Sequence, residues 1–382
     1  MENSGRRGQL SAPGRLESGA VVVPEAPRVP DQPLGELAAQ HNLKLSGARP
    51  SLSAYLAMLW QRRHFITGYA TARNVSMYTE AKLGQLWQVL TPLLNAGVYY
   101  LIFGLLFQAS RGVQHYPAFL LAGVFVFAFT ERSIVTGSNV MRANLQLIRA
   151  LYFPRAALPL AYVIVELQQM LVGFVVLIPV MIVSGEPLTV YWFLLIPAVV
   201  LQTAFNIGAA LMVARLGGSL ADVSELIPFI LRITRYFCGV MYMVTTLPAQ
   251  VPNWAIKLLS LNPPAVYISL VRIALMTTYR QNSPGAQPYN AAYCAVFKAN
   301  DGGYSIPLAG GKYLPLPSGT KVAHGYTLVG HHKVVPNAVL QAYCHPVVTN
   351  NDLWIAGVGW GIGFLVLGVI FFWQAESKYG RG

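Results

Sequence analysis

The sequence predicts an all-α polytopic membrane protein, with six transmembrane helices, an interface helix ahead of them and a small β-rich insertion on the extracytoplasmic side. Composition is the first reason. With 54% hydrophobic and 11% charged residues and a mean hydropathy of +0.47, a soluble chain of 382 residues would expose apolar patches larger than solution tolerates. Segmentation is the second, because apolar runs of about 20 residues recur, the length that crosses a hydrocarbon core of about 30 Å. The third is the placement of charge. A net charge of +13 would indicate nucleic acid in a soluble chain, but here the basic residues cluster at the ends of the apolar runs, where they set topology and meet lipid headgroups.

Residues 1–50 are rich in proline, glycine and serine and lack an apolar signal core, so they read as a disordered cytoplasmic tail. In the region 51–86, Leu52, Tyr55, Leu56, Leu59 and Ile66 recur at helical spacing beside Gln61, Arg62, Arg63 and Arg73, the pattern of an amphipathic helix lying in the interface plane. The expected spans are 87–107, 117–135, 158–183, 190–213, 227–247 and 353–373. Region 87–278 therefore carries five spans, and 353–382 carries the sixth with a cytoplasmic C-terminus.

Orientation follows from Lys and Arg in the short connections. Arg62, Arg63, Arg73 and Lys82 precede the first span, Arg142, Arg149 and Arg155 fill the second connection, and Arg215 lies in the fourth. The first outer loop has Arg111 alone, and the connection around Gly185-Glu186-Pro187 has none, so both termini are expected in the cytoplasm. Between the fifth and sixth spans, 251–276 is apolar but broken by Pro252, Lys257, Asn262-Pro263-Pro264 and Arg272, which fits two short half-inserted helices better than a full span. Residues 279–352 alternate short Tyr-containing runs with Gly-Gly and Ser-Gly turns, as in Gly303-Tyr304-Ser305-Ile306 and Lys312-Tyr313-Leu314-Pro315, the signature of the β-rich insertion.

The basic amphipathic segment 141–160 stands out between two apolar runs. Arg142, Arg149 and Arg155 obey the positive-inside bias, and Leu145, Ile148 and Tyr152 share one helical face, an arrangement suited to docking a soluble partner.

Three motifs carry a resemblance. Leu83-Gly84-x-Leu86-Trp87-x-x-Leu90-x-Pro92-Leu93 precedes and opens the first span; Ala143-Asn144-x-x-Leu147-Ile148-Arg149-x-x-Tyr152-Phe153-Pro154-Arg155 follows the second; Leu261-Asn262-Pro263 separates the half-inserted helices. In this order and spacing, over 51–278 and 353–377, the chain resembles the ABC-2 type permeases that export polysaccharides and teichoic acids, the Wzm and TagG group. The long tail and the insertion 279–352 depart from compact members of that family.

The resemblance implies a permease that exports a lipid-diphosphate-linked glycan of O-antigen, teichoic acid or cell-wall galactan type across the bacterial inner membrane. It implies a second copy of the chain, two separate ATPase subunits holding ATP and Mg, and contact with membrane lipids but not nucleic acid. No G-x-x-x-x-G-K-[ST] occurs here, since Gly310-Gly311-Lys312 is followed by Tyr313. The same resemblance makes 139–152 a coupling helix ended by Pro154, with Arg142, Asn144, Ile148, Arg149 and Tyr152 as the ATPase-contacting residues. It also places the first and fifth spans on the translocation path, where Tyr99, Tyr100, Phe103, Tyr236, Phe237 and Tyr242 either stack on sugar rings or pack the helices.

Ionisable groups inside spans require partners or a function. Glu166 lies about 13 Å along the third span and Arg235 about 12 Å along the fifth, with Arg232 one turn earlier. Two readings follow: an ion pair between Glu166 and Arg235, or a pore-side pair of cations, Arg232 and Arg235, that attracts a diphosphate. Gly357, Gly359, Gly361 and Gly363 in the last span indicate close helix packing. His324, His331, His332 and His345 form no regular ligand set, and no metal is expected. Cys238 lies within the fifth expected span, whereas Cys294 and Cys344 fall in the outer insertion; a disulfide between them would close a loop of about 50 residues, worth roughly 4 kcal/mol, with two free thiols as the alternative. A membrane-embedded glycosyltransferase or acyltransferase is the competing class, but it would need an acid or base beyond Glu131, Glu166 and Asp222.

Overall fold

A computed structural model describes residues 50–79, 82–106, 115–151, 153–244, 253–282 and 348–376, together with short strand segments between 295 and 334. Expectations for the N-terminal tail, for Tyr152 and for Cys294 and Cys344 lie outside the described residues. The chain from Arg49 onward forms one compact unit.

The interface element is two helices rather than one, α1 (Leu52–Gln61) and α2 (Arg63–Ser76), broken at Arg62. The Ser51 hydroxyl caps α1 by accepting from the Ala54 amide. Tyr55, Leu59, Ile66 and Ala70 are buried, while Leu56 and Trp60 remain exposed, so the apolar stripe is wider than the face that packs. The first span is α3 (Trp87–Tyr99), which winds on through a π-helical run, Tyr100–Leu106. Such widened turns within a span often accompany functional sites. Next comes α4 (Tyr116–Ala143), longer than the expected 117–135 by two turns at its C-terminal end.

The expected coupling helix 139–152 is divided in the structure. Its first residues belong to α4; Asn144 interrupts the chain, and a separate six-residue helix, α5 (Leu145–Ala150), follows. Leu151 is already extended, so the helix stops four residues before Pro154 could end it. Helix α6 (Ala157–Val183) is the third span. The 3-10 turn Val190–Leu194 leads into α7 (Leu195–Ser219), and together they make the fourth.

The fifth expected span, 227–247, needs correction. The helix there, α8 (Ala221–Phe237), starts earlier and ends at Cys238, because Gly239 takes φ +69°, a left-handed conformation that stops a helix. Its 17 residues extend about 25 Å and include Asp222, Glu225, Arg232 and Arg235, so it lacks the length and apolarity of the other spans. After it, α9 (Asn253–Leu261) and α10 (Pro263–Leu275) bend by 75° about Asn262, as in a broken span or a re-entrant pair. The Asn262 side chain caps α10 at Ala265, and the two prolines that follow occupy its first turn, where a missing N–H costs nothing. The short helix α11 (Thr277–Asn282) follows, and α12 (Asn350–Ala375), started by a Thr349–Asp352 capping box, is the last span.

Among the described residues five helices are long and apolar enough to cross a membrane, or six spans if the bent pair counts as one. In the insertion, antiparallel backbone pairing joins Ala295–Lys298 to Tyr304–Pro307, and the latter to Tyr313–Pro315.

Helix α4 is the central element and packs against α6, α7, α8 and α10, burying Phe119, Phe125, Phe127 and Phe129. Helices α7 and α12 also approach closely. A side chain at Gly208 would collide with the Phe364 carbonyl, and one at Gly368 with the Gly208 backbone. Gly357 and Gly361 are also packed, whereas Gly359 and Gly363 face open space. Gly357 packs against Leu270 and Val266 of α10 and Gly361 against the Leu201 carbonyl of α7, whereas Gly208 is met by Phe364 and Gly368, outside the glycine run that the sequence singled out.

Candidate functional site

Where α3, α4 and the C-terminal part of α8 meet, a cavity of about 100 Å³ is lined by Pro92, Asn95, Tyr99, Phe127, Glu131, Arg132 and Arg235. Helical spacing puts Phe127, Ala128, Glu131 and Arg132 on one stripe of α4, and α8 lies against that stripe. Arg235 forms an ion pair with Glu131 and donates a second hydrogen bond to the Tyr99 hydroxyl. Its guanidinium carbon stands 5.3 Å from the Phe127 ring centroid, within range of a cation–π contact. Both charged side chains keep about a fifth of their surface exposed, 23% for Arg235 and 21% for Glu131. Arg235 Nε is buried without a hydrogen-bond partner among the described residues, so the site retains an unused donor there.

The expected Glu166–Arg235 pair is therefore replaced by Glu131–Arg235. Depth along two helices is computable from their rise, but pairing also requires facing directions. Helix α8 packs on α4, and Glu166 lies instead near Arg132, which donates to Gln169 at 2.7 Å. Glu166 is 6% exposed, and its Oε2 has no hydrogen-bond partner among the described residues. Glu131 was legible as an intramembrane carboxylate, yet nothing in sequence linked it to residue 235.

The other pathway residues scatter. Tyr100 and Phe103 pack against the core beside Tyr116 and its neighbours, with 6.2 Å between the ring centroids of Tyr100 and Tyr116. Tyr242 is partly buried beyond the end of α8, near Cys238 and Arg272. Arg232, Tyr236 and Phe237 are exposed on α8. Tyr99 and Arg235 are thus the two that the fold brings into contact.

Cys238 is a buried free thiol. Next to it lies the residue that sequence reasoning undervalued, Arg272, 2% exposed and without a carboxylate partner among the described residues. It donates to the carbonyls of Phe119 (3.0 Å), Gly239 (2.8 Å) and Val240 (2.7 Å), and its guanidinium stacks 3.4 Å from the Phe119 ring centroid. The Gly239 and Val240 carbonyls lie just past the end of α8, and Phe119 lies near the start of α4, so the arginine supplies donors at the end of one helix and ties it to the other.

At the opposite end of the spans, the segment carrying the expected coupling residues has two sides. Ile148 is buried in a second cluster with Tyr55, Ile66 and Leu158. Asn144 turns inward: it accepts from the Tyr69 hydroxyl (3.2 Å) and donates to the Val140 carbonyl (2.7 Å) and the Tyr162 hydroxyl (3.1 Å). Arg142 and Arg149 face outward with Leu145 and Gln146. A neighbouring junction ties the interface helices to the last span. Tyr55 donates to Glu376 (2.8 Å), the Arg155 amide donates to the same carboxylate (3.0 Å), and the Ala156 amide donates to the Tyr55 hydroxyl (3.2 Å). Burial pushes the Glu376 carboxyl up, against the lowering effect of its bonds from Arg155 and Tyr55; burial and the adjacent carboxylate push the Tyr55 phenol up as well.

Comparison with known proteins gives two findings. A family model described as ABC-2 type transporter matches residues 68–276, more than half of the chain. Two sequences described as O-antigen export system permease protein RfbA, both from Klebsiella pneumoniae, are each 27% identical over 180 residues, covering 47% of this chain and 68% of the relative.

Proposed function

The chain belongs to the ABC-2 type transporter family, and on that premise we propose that it is the permease of an exporter that carries a lipid-diphosphate-linked glycan across the bacterial inner membrane. The coarser part rests directly on kinship. This is a multi-pass membrane permease, of a family that works with ABC ATPases and is not itself catalytic, and it is related to O-antigen export permeases.

The observation that carries the finer reading is the Tyr99–Glu131–Arg235 cluster beside the open faces of α3 and α8. Leu94, Val98 and Leu101 on α3, and Phe229, Ile230 and Tyr236 on α8, are all more than a third exposed. A face that is apolar and aromatic, with a cation set behind it, suits a substrate that pairs a lipid chain and sugar rings with a diphosphate. In this reading Arg232 on the exposed side of α8 meets the diphosphate first, and Arg235 is held in reserve by Glu131. Two copies of the chain pair these faces around the path.

Arg142 and Arg149 are proposed to dock an ATPase subunit that binds ATP and Mg, while Asn144 and Ile148 hold the segment to the membrane body. That assignment divides the expected coupling residues into outward contacts and inward anchors. Both termini lie in the cytoplasm, and 279–352 forms a small β-rich domain on the other side, braced by a Cys294–Cys344 bridge.

The test is export in cells lacking the native chain. Loss of the protein should leave finished lipid-linked glycan on the cytoplasmic side, and the wild-type chain should restore its appearance outside. Arg149→Glu should insert normally yet fail to assemble with the ATPase or to couple hydrolysis to export. Covalent change of the glycan by the purified chain alone, or normal export with Arg149→Glu, would overturn the respective parts of the reading.

A further inference from the structure

A second and much larger concavity lies away from the candidate site, and nothing in the transport reading uses it. Its volume is about 870 Å³, and it opens between the interface helix α1 and the ends of α6, α7 and α12 on that side of the molecule. Its walls include Leu56 and Trp60 of α1, Ile164 of α6, Ile207 of α7, and Val366 and Val369 of α12. No Asp or Glu lines it, and Arg63 stands at its rim. It shares no residue with the cavity around Arg235.

The geometry points to a specific site for one anionic phospholipid of the leaflet on that side, its acyl chain in the groove and its phosphate at Arg63. Four features select this occupant. First, the walls offer hydrogen-bonding side chains only at Arg63, Thr67, Tyr55 and the Trp60 indole, and the Tyr55 hydroxyl is already engaged by Glu376 and Ala156. A loop of polypeptide there would leave its backbone amides unsatisfied, whereas a hydrocarbon chain has no such need.

Second, the rim is basic. Helices α1 and α2 carry Arg62, Arg63, His64 and Arg73 and no carboxylate over residues 52–76. Third, Arg63 is prepared but not consumed: it donates one hydrogen bond to the Trp60 carbonyl at 3.1 Å and lies 5.2 Å from the indole centroid. A guanidinium has five donors in a fork that suits phosphate. Fourth, Trp60 is 71% exposed at the same mouth, the position in which an indole settles at headgroup level.

The site bears on the rest of the fold. Its wall includes Tyr55 and Phe372, which flank the junction joining α1, the start of α6 and the end of α12 through Glu376 and Arg155. A bound lipid chain therefore supports the packing of the interface helix, which makes few contacts of its own along Leu56 and Trp60.

The experiment reconstitutes the full chain in phosphatidylcholine nanodiscs containing a trace of phosphatidylglycerol with a photoreactive acyl chain, and maps labelled peptides by mass spectrometry. Labelling should concentrate in 52–67, 156–164 and 365–372. Unlabelled phosphatidylglycerol should compete about fivefold better than phosphatidylcholine, the preference expected from one surface arginine. Arg63→Gln should abolish that preference while leaving labelling in place, and Ile164→Trp with Ile207→Trp should lower labelling of the groove alone. Equal competition by both lipids in the wild-type chain, or label spread evenly over 94–106 and 226–237, would reduce the groove to bulk lipid contact and overturn the proposal. So would groove labelling that appears only after residues 1–49 are deleted, which would give the groove to the tail.

Discussion

Two arginines sit on membrane-embedded helices of this permease, and their surroundings differ in kind. Arg272 is enclosed: its guanidinium donates to the Phe119, Gly239 and Val240 carbonyls and stacks on the Phe119 ring. Arg235 has a carboxylate partner, a phenol, an unused Nε donor and a cavity at its side. The carbonyl cage is a permanent substitute for helical hydrogen bonds at the end of α8, since carbonyls cannot lose their dipoles or swing away. An ion pair with a fifth of its surface open can separate when another anion offers equal compensation. The contrast makes Arg272 a structural clamp, and on the proposed transport reading it leaves Arg235 as the exchangeable cation.

The largest expected effect breaks the clamp. Arg272→Met should remove the arginine donors from the buried Gly239 and Val240 carbonyls and cost roughly 2 kcal/mol or more, about one for each lost bond. A thermal unfolding scan of the purified protein should show it, and a wild-type midpoint would remove the distinction between the two arginines. Gly123→Ala tests the same cage from outside, because a side chain there would run into the Arg272 guanidinium.

The second prediction separates stability from transport at the other arginine. Glu131→Gln should destabilise the fold by about 1–3 kcal/mol, the cost of leaving a partly buried charge with a weaker partner. Adding Arg235→Gln should recover most of that loss, while export stays impaired. Full export by the Glu131→Gln, Arg235→Gln double mutant would show that the pair is as structural as the carbonyl cage.

The smallest effect concerns the partly buried carboxyl of Glu376, which lies outside the spans. Burial raises its folded-state pKa, so its contribution is fully present below the ordinary carboxylate range and is lost as pH rises through the raised value. Wild-type stability should therefore show a downward step with rising pH across that window, and Glu376→Gln should flatten the step. Identical pH profiles for the two proteins would count against burial as the dominant influence at this junction.

Much of the architecture was legible in one dimension. Apolar runs located α3, α4, α6, α7 and α12, although α4 continues two turns and α7 six residues past the expected ends, and Asn262-Pro263-Pro264 marked the bend between α9 and α10. The errors share a cause. The family resemblance implies one coupling helix over 139–152, and the helical face shared by Leu145, Ile148 and Tyr152 agrees with it; at the break the Asn144 side chain bonds to Tyr69 and Tyr162, contacts that local spacing does not announce. The fifth span was carried to residue 247 because the apolar run continues past Cys238, whereas the helix stops where Gly239 and Arg272 supply an alternative set of hydrogen bonds.

Hydropathy, charge placement and three short motifs were enough by themselves to determine a polytopic membrane protein, its interface helix and its kinship with export permeases. Those properties depend on composition along the chain and on the thickness of a bilayer. Tertiary structure alone decided that Arg235 meets Glu131 and Tyr99, that Arg272 closes the end of α8, and that an apolar groove opens under Arg63. Rise per residue sets how deep a side chain sits on a helix, but which way it faces, and what it meets there, is settled only when neighbouring helices pack.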